Sequence, residues 1–240
     1  MRGKTALLLA LLLCAGTATG CAHDNRAVSP AEARKLAGGG QAVAARQKVE
    51  KRLRNVVREY ADRTPLRLGM VTVWDDCRTG KREQPFFQDG SDTYRIKCGM
   101  TVTAYFGADP RHMADVVDGI LTAGESGSDI PFTHDEAGGK LLTYYRHGGP
   151  NPNGPKEADP SEVFAWGDTL TWDPVRDHDP GRRVREPYAA KNDPPVRRFV
   201  REPRSATVAG VRERYGMVFR LELMSGDYYT VFKSGRTRAG

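Results

Sequence analysis

The sequence predicts an α+β domain in which an antiparallel sheet is covered on one face by two amphipathic helices, with a β-hairpin at the C-terminus. Three observations carry this. Residues 41–62 set Val49, Leu53, Val56, Val57 and Tyr60 at helical spacing, and Met113, Val116, Val117, Ile120 and Leu121 repeat the pattern after Asp109-Pro110. Residues 94–106 alternate instead, placing Tyr94, Ile96, Cys98, Met100, Val102, Ala104 and Phe106 on one face of a strand. Residues 214–223 and 228–233 read as two strands joined by Ser225-Gly226-Asp227, where glycine would supply the positive φ of a tight hairpin.

Before the first helix lies an export signal. Arg2 and Lys4 precede the uncharged apolar run 6–15, and small residues lead from Gly16 to Gly20 and then Cys21. The run is about half of the roughly 20 apolar residues that a membrane-spanning helix needs. Ala18-Thr19-Gly20-Cys21 resembles the lipobox of bacterial lipoproteins, with Ala18 where leucine is preferred. The resemblance covers residues 1–21 only. It implies cleavage before Cys21, a diacylglyceryl group on that sulfur, and anchorage to the outer face of the cytoplasmic membrane. Each methylene buried in the bilayer adds about 0.8 kcal/mol to such an anchor.

Residues 1–20 are therefore expected to leave as signal and residues 21–41 to form a polar tether, with Pro30 and Gly38-Gly39-Gly40 and few large apolar groups. Residues 42–240 are the extracytoplasmic domain, with a possible boundary in the Gly, Pro and Asn-rich stretch 148–160. Of four cysteines, Cys14 goes with the signal and Cys21 takes lipid, leaving Cys77 and Cys98 to pair in an oxidising compartment. Zinc is the weaker reading of that pair, since neither close CxxC spacing nor neighbouring histidines are present.

The remaining elements follow in order. Residues 66–74 read as a strand. Pro85, Phe86 and Phe87, in the loop before residue 94, are expected to fold back on the core edge. Short strands are expected at 130–133 and 140–146, one at 163–172, an extended charged stretch over 173–195, and a further strand at 196–200.

The net charge of +7 includes Arg2 and Lys4 and is unevenly spread. Residues 156–179 hold seven acids against two bases, whereas 182–204 hold eight bases against three acids. The two stretches neutralise each other or present a basic strip to anionic lipid headgroups or acidic envelope polymers. Export makes nucleic acid a poor partner. Protein partners are not specified by the sequence.

No GxSxG elbow, HExxH helix or phosphate-binding glycine loop occurs, and no cofactor is expected. Asp173, Asp177, His178 and Asp179 form the densest set of candidate metal ligands or acid–base groups, although they lack the spacing of a calcium loop. His134, Asp135 and Glu136 are a second cluster, expected as a polar turn between strands. Trp166, Trp172 and Tyr188 are candidates for a sugar-binding platform. A noncatalytic envelope-binding or assembly module fits best, ahead of a hydrolase using carboxylate or metal chemistry and of a solute-binding lipoprotein.

Overall fold

The computed structural model describes residues 27–81, 93–165, 167–177, 179–187 and 194–240. Residues 1–26, which include Cys21, and Pro85, Phe86, Phe87, Trp166, His178 and Tyr188 lie outside the described residues. Three long strands make the frame, β1 (Arg67–Thr79), β2 (Tyr94–Ala108) and β6 (Met217–Phe232), with β2 in the middle. The alternation of β2 sends Ile96, Cys98, Val102, Ala104 and Phe106 into the core, all fully buried. Val71, Val73 and Cys77 of β1 share that side, and Cys77 is the register partner of Cys98. A disulfide joins the two. Its closure of a 21-residue separation contributes about 3 kcal/mol through the unfolded chain.

Beyond β6 come β4 (Asp168–Trp172) and β3 (Glu162–Ala165), and beyond β1 comes β5 (Val196–Glu202). The seventh strand, β7 (Thr237–Ala239), folds back on the end of β6 as a C-terminal hairpin. Every pairing is antiparallel, so the chain has the expected α+β class.

Four helices close the core side: α1 (Pro30–Ala37), α2 (Gly40–Arg63), α3 (Met113–Glu125) and α4 (Glu136–His147). The apolar stripe of α2 is the expected one, and α3 runs through Gly124 rather than stopping there. Two of the four were not expected. Residues 30–37 are a helix and not tether, because Ser29 caps the Glu32 amide and Ala33 and Ala37 are small enough to pack against the core. Residues 130–133 form no strand, and the strand expected at 140–146 is α4. There Asp135 caps the Gly138 amide, Leu141 and Tyr144 are buried at helical spacing, and Gly148 ends the helix at φ 66°.

The hairpin expected at Ser225-Gly226-Asp227 is also corrected. β6 continues through this point as a bulge, with Ser225 opposite Met100 and Tyr229 opposite Cys98. Gly99 makes room for it, because a Cβ there would lie 2.9 Å from the Gly226 carbonyl oxygen. The true turn comes later, at Gly235 with φ 82°. Residues 163–172 likewise form two strands, turning at Gly167 with φ 95°.

The last correction concerns the other face of the sheet. Helix α5 (Val208–Tyr215) takes up Arg214, which was expected in a strand, and packs Val208 and Val211 on Met70, Tyr105 and Val218. Helices therefore lie on both faces, although α5 covers only one end of its own. Its entry is fixed by Thr207, which caps the Gly210 amide.

Gly124 marks a close approach of α3 to the following loop, since a Cβ there would lie 1.9 Å from the Phe132 carbonyl oxygen. Gly124→Ala is expected to lower stability by about 1–3 kcal/mol, read as the shift of a urea unfolding midpoint. An unchanged midpoint would mean that the loop gives way without cost.

Candidate functional site

The carboxylates proposed as metal ligands are held by the protein's own backbone. Asp173, 5 % exposed, accepts the Val184 and Val218 amides at 2.8 and 2.9 Å and two guanidinium hydrogen bonds from Arg212 at 2.7 and 2.8 Å. Asp177 accepts the amides of Asp159 and Asp179 and the Arg182 guanidinium. Partial desolvation opposes ionisation of Asp177, but these donors outweigh it and hold its carboxyl below the usual range. Asp179 caps a short 3₁₀ turn through the Gly181 amide at 2.8 Å. No group of three potential metal ligands converges among the described residues.

Asp159, which the sequence did not single out, belongs to the same set. It is buried, accepting the Tyr144 hydroxyl at 2.7 Å and the amides of Val175 and Arg176 at 2.6 and 2.9 Å. Arg176 in turn lies over the Tyr144 ring at 3.9 Å. Within the acidic stretch 156–179, Asp159 thus joins the irregular chain to α4 and Asp173 joins it to α5 and β6. Trp172 is buried as well, 1 % exposed, and donates its indole N–H to the Tyr145 hydroxyl at 3.0 Å. This rules it out as a surface platform.

His134, Asp135 and Glu136 lie between two helices rather than two strands. The His134 ring bridges Asp118 at 2.9 Å and Glu125 at 3.0 Å, both on α3, while Arg146 of α4 reaches Asp118 at 3.1 Å. Hydrogen bonding to Asp118 raises the imidazole pKa above its ordinary value, with Glu125 adding to it against modest desolvation. Asp135 caps α4, and Glu136 pairs with Lys140. This is a clasp between helices.

A second buried set lies under α2. Asp75, 1 % exposed, accepts the Tyr228 hydroxyl at 2.7 Å and pairs with Arg46 at 2.7 Å. Next along the helix, Glu50 pairs with Arg54 and Arg198, and Arg54 reaches Glu202 at 2.8 Å. The Arg54–Glu202 pair crosses an open groove of about 700 Å³ between α2 and the β5 edge. Three of its charged groups, Glu50, Arg54 and Glu202, are thus already ion-paired.

A further candidate is the face of the sheet opposite α1–α4. Residues that alternate with the core positions face outward here, and the registers place Phe199, Trp74, Thr101 and Met224 side by side across β5, β1, β2 and β6. Phe199 is 38 % and Met224 59 % exposed, and Trp74 is half-buried. The Trp74 and Phe199 rings lie 5.9 Å apart, and the Arg197 guanidinium sits 5.2 Å above Trp74. Arg201 with Thr72, Thr103 and Glu222 forms the next row. Beyond β5, Phe199, Val200, Arg201 and Arg204 line a hollow of about 430 Å³. Across β2 a polar hollow of about 350 Å³ is lined by Asp76, Arg78, Lys97, Thr101, Met224 and Asp227.

No protein-family model, characterised protein or solved structure matches this chain. Its function is therefore argued from this surface. The sequence held the signal for it, since Thr72 and Trp74 occupy the positions between Val71, Val73 and Asp75, but strand 196–200 had to be paired with 66–74 before Phe199 and Trp74 met.

Asp173→Ala strands the Arg212 guanidinium and two amides, so unfolding free energy is expected to fall by about 3–5 kcal/mol in urea titration. A loss below about 1 kcal/mol would show that the carboxylate is dispensable to the fold. For His134 the folded pKa is the raised one, so its contribution is complete below the unfolded value of 6.5 and disappears as pH rises through the folded value. NMR titration should place its midpoint above 6.5 in the native chain, and Asp118→Asn should lower it. A native midpoint at or below 6.5 would remove the clasp as a charged interaction.

Proposed function

We propose that this chain is an exported, lipid-anchored protein of the bacterial cell envelope that works by binding, with the open face of its sheet as the contact surface. The observation that carries this reading is the Phe199, Trp74, Thr101 and Met224 row, a strip with two aromatic rings and an exposed methionine that no described helix covers. The Cys77–Cys98 disulfide supports an oxidising compartment. The residues 1–21 that resemble a lipoprotein signal supply the route there.

Binding is favoured over carboxylate chemistry by the state of Asp159, Asp173 and Asp177. Each already accepts hydrogen bonds from backbone amides, and a general acid or base must exchange its proton with substrate. Rigid paired strands hold the outward row in place, which suits recognition of an extended or flat partner.

The address is tested by fractionation. Cys21→Ala is expected to abolish incorporation of a radiolabelled fatty acid and to remove the processed, membrane-bound form seen for the parent chain. Persistence of a processed protein in the membrane after this change would overturn the lipid-anchored reading.

A further inference from the structure

Resting on that reading, we propose that the open face binds an acidic polysaccharide laid along the Phe199, Trp74, Thr101 and Met224 row. The row crosses four adjacent strands and so spans roughly 14 Å, the length of a short oligosaccharide. Its ends differ in chemistry. At the β5 end, the hollow lined by Phe199, Val200, Arg201 and Arg204 combines an aromatic ring with two guanidinium groups; Arg201 is held by Glu186 at 3.6 Å and by the Ala206 carbonyl, and Arg204 has no ion pair among the described residues. That combination of ring and guanidinium suits a sugar ring bearing a carboxylate or phosphate, because guanidinium donors match the geometry of such anions. At the β6 end, Thr101 and Met224 share a hollow with the Arg78–Asp76 and Lys97–Asp227 ion pairs, whose matched charges suit neutral hydroxyls.

The shape of the surface favours this occupant over a bilayer. Trp74 and Phe199 lie in paired strands, not on a protruding loop, and Trp74 is already half-buried beneath Arg197. Such rings cannot be driven into an acyl layer, yet they form a firm floor for flat sugar faces. The flanking row of Thr72, Thr103, Arg201 and Glu222 adds hydroxyl and charged groups along the same direction. Arg204, a base without an acidic partner among the described residues, fixes the polarity of the bound strand, with its acidic residue over β5.

The test uses full-length protein in neutral detergent micelles, titrated with polygalacturonate fragments and, separately, with neutral dextran. Polygalacturonate is expected to bind at least about tenfold more tightly than dextran, with affinity falling as salt is raised. Trp74→Ala and Arg204→Ala, each with an unchanged far-ultraviolet circular dichroism spectrum, should weaken it by at least about tenfold. Met224→Ala, on the most exposed member of the row, is a second probe should Trp74→Ala fail to fold. Equal affinity for the two polymers, or polygalacturonate binding untouched by the folded variants, overturns the proposal. So does a Trp74-dependent fluorescence change on doping the micelles with phosphatidylglycerol in a protein that ignores polygalacturonate, which would assign the face to lipid. Fractionation of Cys21→Ala is scored independently, so a failed address and a failed ligand class are told apart.

Discussion

A buried carboxylate survives in a protein interior only when its charge is met by donors on every side, and Asp173 meets that demand by collecting distant pieces of chain. It follows the last residue of β4, takes an amide from Val184 and another from Val218 at the start of β6, and fixes Arg212 on α5. Four segments converge on one side chain just past the last β4–β6 ladder pair, Trp172 opposite Phe219. Arg212 also donates to the Val184 carbonyl at 2.7 Å, which closes the set. Asp173 thus ties α5 to the sheet through Arg212, beside the packing of Val208 and Val211 and the hydrogen bond from the Val208 amide to Glu186.

The same principle recurs elsewhere. Asp159 orders the turn at Val175 and Arg176 against α4, and Asp75 receives Tyr228 and Arg46 beneath α2. In both cases an acid holds a helix to irregular or bulged backbone where apolar packing alone is not directional. The bulge in β6 turns Tyr228 as well as Tyr229 inward, which brings the phenol within reach of Asp75 two strands away. The two faces of the sheet differ accordingly. One is sealed by four helices and a disulfide. Among the described residues the other is covered at one end by α5, whose Val208 and Val211 pack on Met70, Tyr105 and Val218. Tyr215 of that helix lies so near Gly107 that a Cβ there would fall 2.1 Å from Tyr215 Cδ2. Arginines along β5 guard the free edge against strand addition.

What the sequence made legible was set by pattern length. The stripes of α2 and α3 and the alternation of β2 extend over enough residues to be unambiguous, and the Cys77–Cys98 pairing followed from arithmetic on four cysteines. Shorter signals failed for identifiable reasons. Helix α1 buries alanines, which carry little hydrophobic contrast, and α5 buries only Val208 and Val211. Leu141, Leu142, Tyr144 and Tyr145 satisfy a strand pattern as readily as a helical one, and the Asp135 cap and Gly148 terminator decide between them. Gly226 resembles a turn glycine, but the continuous partner β2 turns the site into a bulge. At the candidate site, the acids 173–179 are dense because they organise coil, and the open row is invisible until long-range pairing aligns four strands.

The packing of α1 also sets a distance. Val28 packs on the core and the Ser29 hydroxyl caps the helix, and Cys21 lies eight residues before Ser29 in the chain. At about 3.3–3.6 Å per residue the intervening chain reaches no further than about 28 Å. On the lipid-anchored reading this short leash keeps the domain at the inner floor of the envelope. Whatever the sheet grasps must come down to the bilayer to meet it, which fits a sentinel at the membrane surface better than a device that probes the outer layers.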